Sequence, residues 1–173
     1  MNGHWAEGEA ISVLDLGPTS SANVQFFCGI GGRYRHEDLL LELQGAEGAP
    51  RDAQSYLAEN LLLPEASLDA VLLWDRLDYL PQDLIQPLAQ RLTSALRPGG
   101  TLLALFHGHE SGPEPVFYQY HIRDREMLEW RPRAPRPIQQ VFQVRHVENL
   151  FPSFQSIHFF LGHDGMREAM MVR

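Results

Sequence analysis

Residues 11–24 read ISVLDLGPTSSANV, and the rest of the chain is interpreted around this stretch. Its apolar first half, rich in β-branched and leucine residues, is typical of a buried strand, and it runs into an acid and a Gly-Pro turn. The small hydroxylated residues that follow predict a helix capped by Ser20 or Ser21. This order is typical of nucleotide-binding α/β folds, because unpaired N–H groups at the start of the helix point toward the turn.

The composition narrows the class of protein. With 173 residues the chain is long enough to bury the core of one domain, and we interpret residues 1–173 as a single domain. All fourteen basic residues are arginine, which excludes a Schiff-base lysine, a pyridoxal phosphate anchor and a Walker-A phosphate loop. The net charge of −8 argues against nucleic acid as a partner, although a local basic groove stays compatible with it.

The sequence also predicts a location. No apolar run approaches the roughly 20 residues that span a bilayer. Residues 1–10, MNGHWAEGEA, lack the basic-then-apolar order of a signal peptide. We therefore expect a cytoplasmic protein with no membrane partner. The single cysteine, Cys28, lies on the apolar side of the first predicted helix (residues 22–28), so we expect a buried thiol.

Two more strands are predicted before the middle of the chain. Residues 33–38, RYRHED, form a strand that ends in Glu37 and Asp38. Their spacing from the first strand is about that of the ribose-binding carboxylate in dinucleotide-binding folds, and solvated strand-end charges are the alternative. Residues 39–66 show no clear strand, so a third strand is weak or missing. Residues 68–74, LDAVLLW, are continuously apolar, which predicts a strand covered on both faces.

The second half repeats the strand and helix order. Residues 82–96 predict an amphipathic helix, with a late start or a kink at Pro87, and residues 101–106, TLLALF, predict the next buried strand. This order implies a mainly parallel sheet with helices on both faces. Residues 155–161 and 166–172 are apolar runs separated by GHDG, which predicts an antiparallel hairpin at the sheet edge.

Residues 107–137 form an irregular insert. A lid or a substrate-facing loop fits its composition, and so does a plain surface excursion. Five arginines stand against three acids between residues 122 and 137. These arginines can attract a phosphate or carboxylate of a substrate, and a solvated loop balanced by its own acids is the alternative. Residues 138–150 look helical.

Three motifs give this order a family resemblance. They are VLDLG at residues 13–17, LPEASLDAVLLWDRLDYLP at 63–81 and LRPGGTLLALF at 96–106. Together they resemble the class I S-adenosylmethionine-dependent methyltransferases, and the C-terminal hairpin is similar to the antiparallel last strand of that fold. The resemblance implies a Rossmann-like methyltransferase fold, with S-adenosylmethionine as the cofactor.

The resemblance also assigns residues to parts of that cofactor. Asp38 or Glu37 would hold the ribose hydroxyls, because a carboxylate accepts two hydrogen bonds from a diol. The adenine would lie near Asn60 and Leu61, and the methyl group near Trp74 and Asp75. The methionine part would face the turn after the first strand, which comprises Asp15, Gly17, Pro18, Thr19 and Ser20.

Departures from the family pattern leave two functional hypotheses. Residues 17–21 read GPTSS where the family usually has Gly-x-Gly-x-Gly, so Thr19 brings a side chain to a position usually touched through bare backbone. Only ten residues precede the first strand, so we expect the usual covering helices to be absent or supplied by an oligomer partner. One hypothesis is methyl transfer to a small or medium-sized acceptor. The other is a catalytically inactive, methyltransferase-like module that binds or assembles with a protein partner.

The candidate catalytic residues are Asp75, His107 and Tyr118. Asp75 and His107 follow predicted strands, at the edge where open α/β sheets carry their chemistry, and a helix cap is the alternative for Asp75. Tyr118 belongs to an aromatic run of the insert that equally suits a short extra strand. Four residues are competent ligands for zinc or iron, but we predict no metal: His107, His109, Glu110 and His121. We interpret them as solvated loop side chains, with substrate contacts as the alternative, and His107 stands apart because it directly follows a predicted strand.

Overall fold

The computed structural model describes residues 10–40, 53–108, 116–162 and 165–173. The strands in these ranges are β1 (Ser12–Asp15), β2 (Arg33–His36), β3 (Leu68–Trp74), β4 (Leu96–His107), β5 (Tyr118–Ile122), β6 (Leu128–Pro132), β7 (Ser156–Leu161) and β8 (Met166–Val172). The helices with defined bounds are α1 (Ser21–Gly29), α2 (Ala53–Asn60), α3 (Arg76–Tyr79), α4 (Gln82–Ala95) and α5 (Val144–Leu150).

Six of these strands form one sheet, in the order β2-β1-β3-β4-β8-β7. Strands β1 to β4 run parallel, and β8 is antiparallel to both of its neighbours, β4 and β7. The predicted mainly parallel sheet with an antiparallel C-terminal hairpin is therefore confirmed. Within the described ranges no strand lies beyond β2, and residues 41–52 of the weak region fall outside those ranges.

Successive side chains of a strand point to opposite faces of the sheet, and here each face packs against a core of its own. On β1, Leu14 packs into the larger core with α2, α4 and α5. Its neighbour Val13 packs into a smaller core with α1 and the strands β5 and β6. Helix α4 packs into the larger core along one face, because its buried residues recur at helical spacing: Leu84, Ile85, Leu88, Ala89, Leu92 and Ala95. Helix α4 begins at Gln82 and passes through Pro87, so of the two expected alternatives the late start is wrong, and a kink at Pro87 stays a prediction.

Two local predictions are wrong for identifiable reasons. Cys28 is exposed rather than buried, because the inward face of α1 carries Asn23 and Phe27, and Cys28 lies one residue beyond that face. The helix expected over residues 138–150 begins only at Val144. Two N–H groups before it, those of Gln139 and Gln140, donate to the Asp78 carbonyl instead of a helical partner.

The insert contains a regular element that covers the sheet. Strands β5 and β6 pair as an antiparallel hairpin, from Tyr118 opposite Pro132 to Ile122 opposite Leu128. This hairpin forms a sheet of its own and lies against α1 and the ends of β1 and β3. Over the described ranges, no helix has both the length and the apolar character needed to cross a bilayer.

Candidate functional site

Asp15 ends β1 and is fully buried, at the point where the turn begins. Its Oδ1 accepts hydrogen bonds from the Gly17 N–H (2.9 Å) and the Trp74 indole Nε1–H (2.7 Å). Its Oδ2 accepts from the Asn23 side-chain amide (2.9 Å) and the Tyr34 hydroxyl (2.7 Å). Four donors therefore compensate a buried carboxylate that forms no ion pair with any of the described residues. Burial and the nearby Asp15 charge raise the pKa of Tyr34 well above its usual value.

Trp74 covers the turn at Gly17. A Cβ atom on Gly17 would lie 2.8 Å from the Trp74 Cδ1, so glycine is required for this close approach. The indole also stacks on the Tyr120 ring, with centroids 4.9 Å apart and planes 8° apart. Trp74 has φ of +53°, a left-handed conformation that costs a bulky residue about 1–2 kcal/mol. The turn is thus covered by an aromatic pair, of which one member, Trp74, has a strained backbone conformation.

The β5–β6 hairpin is tied to this turn by polar contacts. The Asn23 Oδ1 accepts from the Ile122 N–H (2.7 Å), and its amide donates to the Tyr120 carbonyl (3.1 Å) as well as to Asp15. The Gln119 amide donates to the Thr19 carbonyl (2.6 Å). Ser20 caps α1 by accepting from the Asn23 N–H, and its Oγ lies 2.7 Å from the His121 Nδ1. Burial, followed by repulsion from arginines, lowers the pKa of His121.

The two acidic residues after β2 have different surroundings. Glu37 pairs with Arg35, whose Nε and Nη2 donate to Oε1 at 2.9 and 2.8 Å. Asp38 lines an open cleft of about 420 Å³ beside the carboxyl ends of β1 and β2. The same cleft is lined by Pro18 of the turn, by Phe117, and by residues 133–136 beyond β6. Of the two predicted ribose ligands, Asp38 lines this cleft and Glu37 does not.

The other residues assigned to the cofactor lie outside this cleft. Thr19 is exposed, and its hydroxyl forms a hydrogen bond with His36. Asn60 is exposed, and its amide donates to the Tyr56 carbonyl of its own helix (2.8 Å). Leu61 is fully buried in the larger core. The structure therefore brings Pro18 and Asp38 together at the cleft and leaves Asn60 and Leu61 apart from it.

A buried ionic cluster follows β3. Asp75 and Arg76 are both fully buried and form an ion pair of 2.9 Å. Tyr120 donates its hydroxyl proton to the Asp75 Oδ2 (3.0 Å), and burial raises the pKa of Tyr120 well above its usual value. Arg76 also donates to the Tyr118 carbonyl (2.9 Å). Asp75 therefore anchors the hairpin in this conformation, and the Tyr118 ring packs beside Trp130 instead of facing the cleft.

His107 forms a second polar pair at the end of β4. Its backbone N–H donates to the Asp78 Oδ2 (2.7 Å), and its Nδ1 lies 2.8 Å from the same oxygen. Burial raises the pKa of Asp78 to about 6, against the lowering effect of the His107 hydrogen bonds. A carboxylate that holds one ring nitrogen orients the histidine for proton transfer at the other. In the described residues no three potential metal ligands cluster, and His109 and Glu110 lie outside those residues.

Sequence comparisons return no relative, whereas structural comparisons do. No family model matches the chain, and no curated protein matches it. A 1,6-didemethyltoxoflavin N1-methyltransferase from Burkholderia thailandensis, solved with S-adenosylhomocysteine, matches at a TM-score of 0.54 and 16% identity, covering 96% of this chain and 72% of that one. An Archaeoglobus fulgidus methyltransferase matches at a TM-score of 0.56 and 12% identity, covering 95% of this chain and 86% of that one. A Mesorhizobium loti methyltransferase matches at a TM-score of 0.51 and 14% identity, covering 95% of this chain and 91% of that one. The fold is that of the class I S-adenosylmethionine-dependent methyltransferases.

On this methyltransferase fold, several site residues carry weak sequence signals or none. Asn23 follows the predicted cap, but nothing in the sequence shows that its amide joins β1 to the insert. Tyr120 stands in the aromatic run, yet its stacking on Trp74 depends on a pairing across 46 residues. Arg133 and Arg136 belong to the arginine-rich segment that was expected to attract an anion or to be solvated. Their position in the cleft is visible only in the fold.

Proposed function

We propose that this protein binds S-adenosylmethionine in the crevice at the carboxyl ends of β1 and β2 and transfers its methyl group to a small or medium-sized acceptor. The observation that carries the proposal is Asp38, a carboxylate after β2 that lines the cleft of a methyltransferase fold. Open α/β sheets bind ligands in this crevice, outside the carboxyl ends of the strands. Two similar structures support the choice of cofactor, since one is a methyltransferase solved with S-adenosylhomocysteine and the other is a complex that contains S-adenosylmethionine.

The ribose end of the site fits this cofactor. The cleft volume of about 420 Å³ lies within the usual range for a small-molecule pocket. Asp38 can accept both ribose hydroxyls, and Leu40 and Pro18 supply apolar surface around it. When bound, the cofactor supplies a sulfonium methyl group for in-line transfer, which needs mainly alignment of the acceptor. The chain's part is to position the ribose and to exclude water with the β5–β6 hairpin.

The methionine end does not fit in the observed conformation. The space beside Gly17 is taken by the Trp74 indole, and all four hydrogen bonds to Asp15 come from the protein itself. Binding of the whole cofactor therefore requires Trp74 to leave Gly17. The left-handed backbone of Trp74 stores strain that such a movement can release.

A second function is favoured by the same aromatic pair. If Trp74 and Tyr120 keep the turn closed, the protein is a catalytically inactive methyltransferase-like module that binds a ligand or partner without turnover. Incubation with S-adenosylmethionine and a small-molecule extract of cells separates the two functions. Methyl transfer produces S-adenosylhomocysteine above the rate of a protein-free control, whereas the inactive module produces none.

Titration calorimetry tests the cofactor proposal through Asp38. Asp38→Asn removes the charge from a charge-assisted hydrogen bond to the ribose, so we expect binding about tenfold weaker or worse. Asp83→Asn, an exposed carboxylate in the first turn of α4, is the matched control and should leave affinity unchanged. Absence of heat at millimolar S-adenosylmethionine, or equal affinity in the Asp38 variant, would sink the proposal.

The acceptor, the compartment and the assembly state are also proposals. We assign a small molecule rather than a nucleic acid as the acceptor, because the net charge of −8 repels phosphate backbones. We place the protein in the cytoplasm, and we propose that it forms an oligomer. Size-exclusion chromatography with light scattering checks the last proposal, since a monomer would contradict it.

A further inference from the structure

The cleft beside Asp38 has a second chemical character, because arginines line its opposite wall. We propose that it binds an organic phosphate that also carries hydroxyl groups, of the nucleoside monophosphate class, with the phosphate held by Arg136 and Arg133. The inference shares with the proposed function the premise that this cleft is a ligand site, but it does not require methyl transfer.

Arg136 is the principal group for the anion. Its guanidinium carbon lies 5.6 Å from the centroid of the Phe117 ring, which also lines the cleft. It is half-buried, and it forms no hydrogen bond with another described residue. A guanidinium offers five N–H donors in a planar fork that matches phosphate oxygens. Arg136 therefore presents a cation with open donors against an aromatic wall.

Arg133 supplies a second guanidinium that is already positioned. Its Nε donates to the Gln119 Oε1 at 2.9 Å, and its Nη2 donates to the same oxygen. The Gln119 amide is fixed in turn by the Thr19 carbonyl of the turn after β1. The Nη1 of Arg133 donates to no described residue, so this nitrogen stays available for an anion in the cleft. A phosphate has enough acceptor oxygens to bridge two arginines, whereas one carboxylate is matched by a single fork.

The local charge favours an anion over a cation. Asp38 is the one acid among the described lining residues, against the two arginines. Arg76 lies behind the wall, with its guanidinium carbon 4.1 Å from the Phe117 centroid, but its ion pair with Asp75 offsets its charge, so the surplus positive charge of the cleft comes from Arg133 and Arg136. Burial and then repulsion from Arg76 lower the pKa of Arg136, while Asp38 raises it. A bound phosphate would relieve this repulsion.

The same charge argument separates the phosphate ligand from S-adenosylmethionine. The methyl donor carries a sulfonium and an ammonium group against one carboxylate, so it would use Asp38 for its ribose and would bring no dianion for the two arginines. A nucleoside monophosphate brings a dianion for the arginines and a ribose diol for Asp38. Both polar features of the cleft are then used by one ligand of the appropriate size.

The test is titration calorimetry of the full chain with adenosine monophosphate, adenosine and S-adenosylmethionine, in low-salt buffer without phosphate. We expect the monophosphate to bind at least tenfold tighter than adenosine. Arg136→Gln should weaken the monophosphate about tenfold and leave adenosine unchanged. Arg145→Gln, an exposed arginine on α5 outside the cleft, is the matched control and should change neither. Arg133→Gln provides a second variant at an exposed position.

The outcomes distinguish this inference from the proposed function. Equal affinity for adenosine and its monophosphate, or equal effects of the Arg136 and Arg145 substitutions, overturns the phosphate site. If S-adenosylmethionine binds under those results, the proposed function stands alone. If the monophosphate binds through Arg136 and S-adenosylmethionine does not bind, the phosphate site stands and the methyltransferase proposal fails.

Discussion

Trp74 combines a left-handed backbone with a buried and fully engaged side chain. Its indole donates to Asp15, lies on Gly17 and stacks on Tyr120. Each contact closes space beside the turn where the methyltransferase resemblance places the methionine part of the cofactor. A residue held at φ of +53° by its surroundings is a strained position, and such positions concentrate at functional sites.

Gly17→Ala tests how tightly the indole packs on the turn. The new methyl would lie 2.8 Å from the Trp74 Cδ1, so the indole must shift and weaken its hydrogen bond to Asp15. We expect the free energy of unfolding to fall by about 1–3 kcal/mol in urea titrations. Gly29→Ala at the end of α1 is the control, because a Cβ there meets no atom within 4 Å. Similar stability for the two variants would show that the Trp74 indole is not closely packed against Gly17.

The β5–β6 hairpin is the element that completes the closed site. Asn23 joins it to β1 and α1 through three side-chain hydrogen bonds, to Asp15, Tyr120 and Ile122. Asp75 and Arg76 hold its other end through the Tyr120 hydroxyl and the Tyr118 carbonyl. These buried polar contacts hold the hairpin against the turn, where Tyr120 stacks on Trp74.

Asn23→Ala should loosen the hairpin. It leaves the Ile122 N–H and the Tyr120 carbonyl without their partner, so we expect a loss of about 2–4 kcal/mol of stability. The Ile122 amide should also lose protection in hydrogen exchange. Asn60→Ala is the matched control, because among the described residues its exposed amide donates to the Tyr56 carbonyl alone. Unchanged exchange at Ile122 would contradict the role of Asn23 as the joint.

Helix α3 and strand β4 meet at Asp78 and His107, and this contact predicts a pH dependence. Burial raises the Asp78 pKa from 3.8 to about 6, so the folded protein holds the proton more tightly than the unfolded chain between those values. The contribution of this carboxyl to stability is therefore full below about pH 4 and declines as pH rises toward 6. Asp78→Asn removes the titration.

Urea titrations of the wild type and the Asp78 variant at several pH values check this expectation. The stability of the wild type relative to Asp78→Asn should fall by roughly 1–3 kcal/mol between pH 4 and pH 6. Asp83→Asn removes an exposed carboxylate of α4 and serves as the comparison. The stability of the wild type relative to Asp83→Asn should not fall between pH 4 and pH 6. A constant difference across that range for Asp78→Asn is the contrary result.

In the whole molecule, the parts predictable from sequence are those encoded by local pattern. The apolar runs of β1, β3 and β4 and the spacing of α4 gave the parallel sheet, and GHDG gave the antiparallel C-terminal pair. The closure of the turn was not predictable, because it depends on Trp74 meeting Tyr120 across the fold. The same holds for the cleft, where Asp38 after β2 faces Arg136 beyond β6.

A crystal structure of the protein grown with S-adenosylhomocysteine tests the proposed cofactor site most directly. We predict the ribose hydroxyls within hydrogen-bonding distance, about 2.5–3.0 Å, of the Asp38 carboxylate. We also predict the Trp74 indole moved away from Gly17, with the methionine part of the ligand in its place. A ligand bound away from Asp38, or bound while Trp74 still covers Gly17, would contradict the methyltransferase site proposed for this chain.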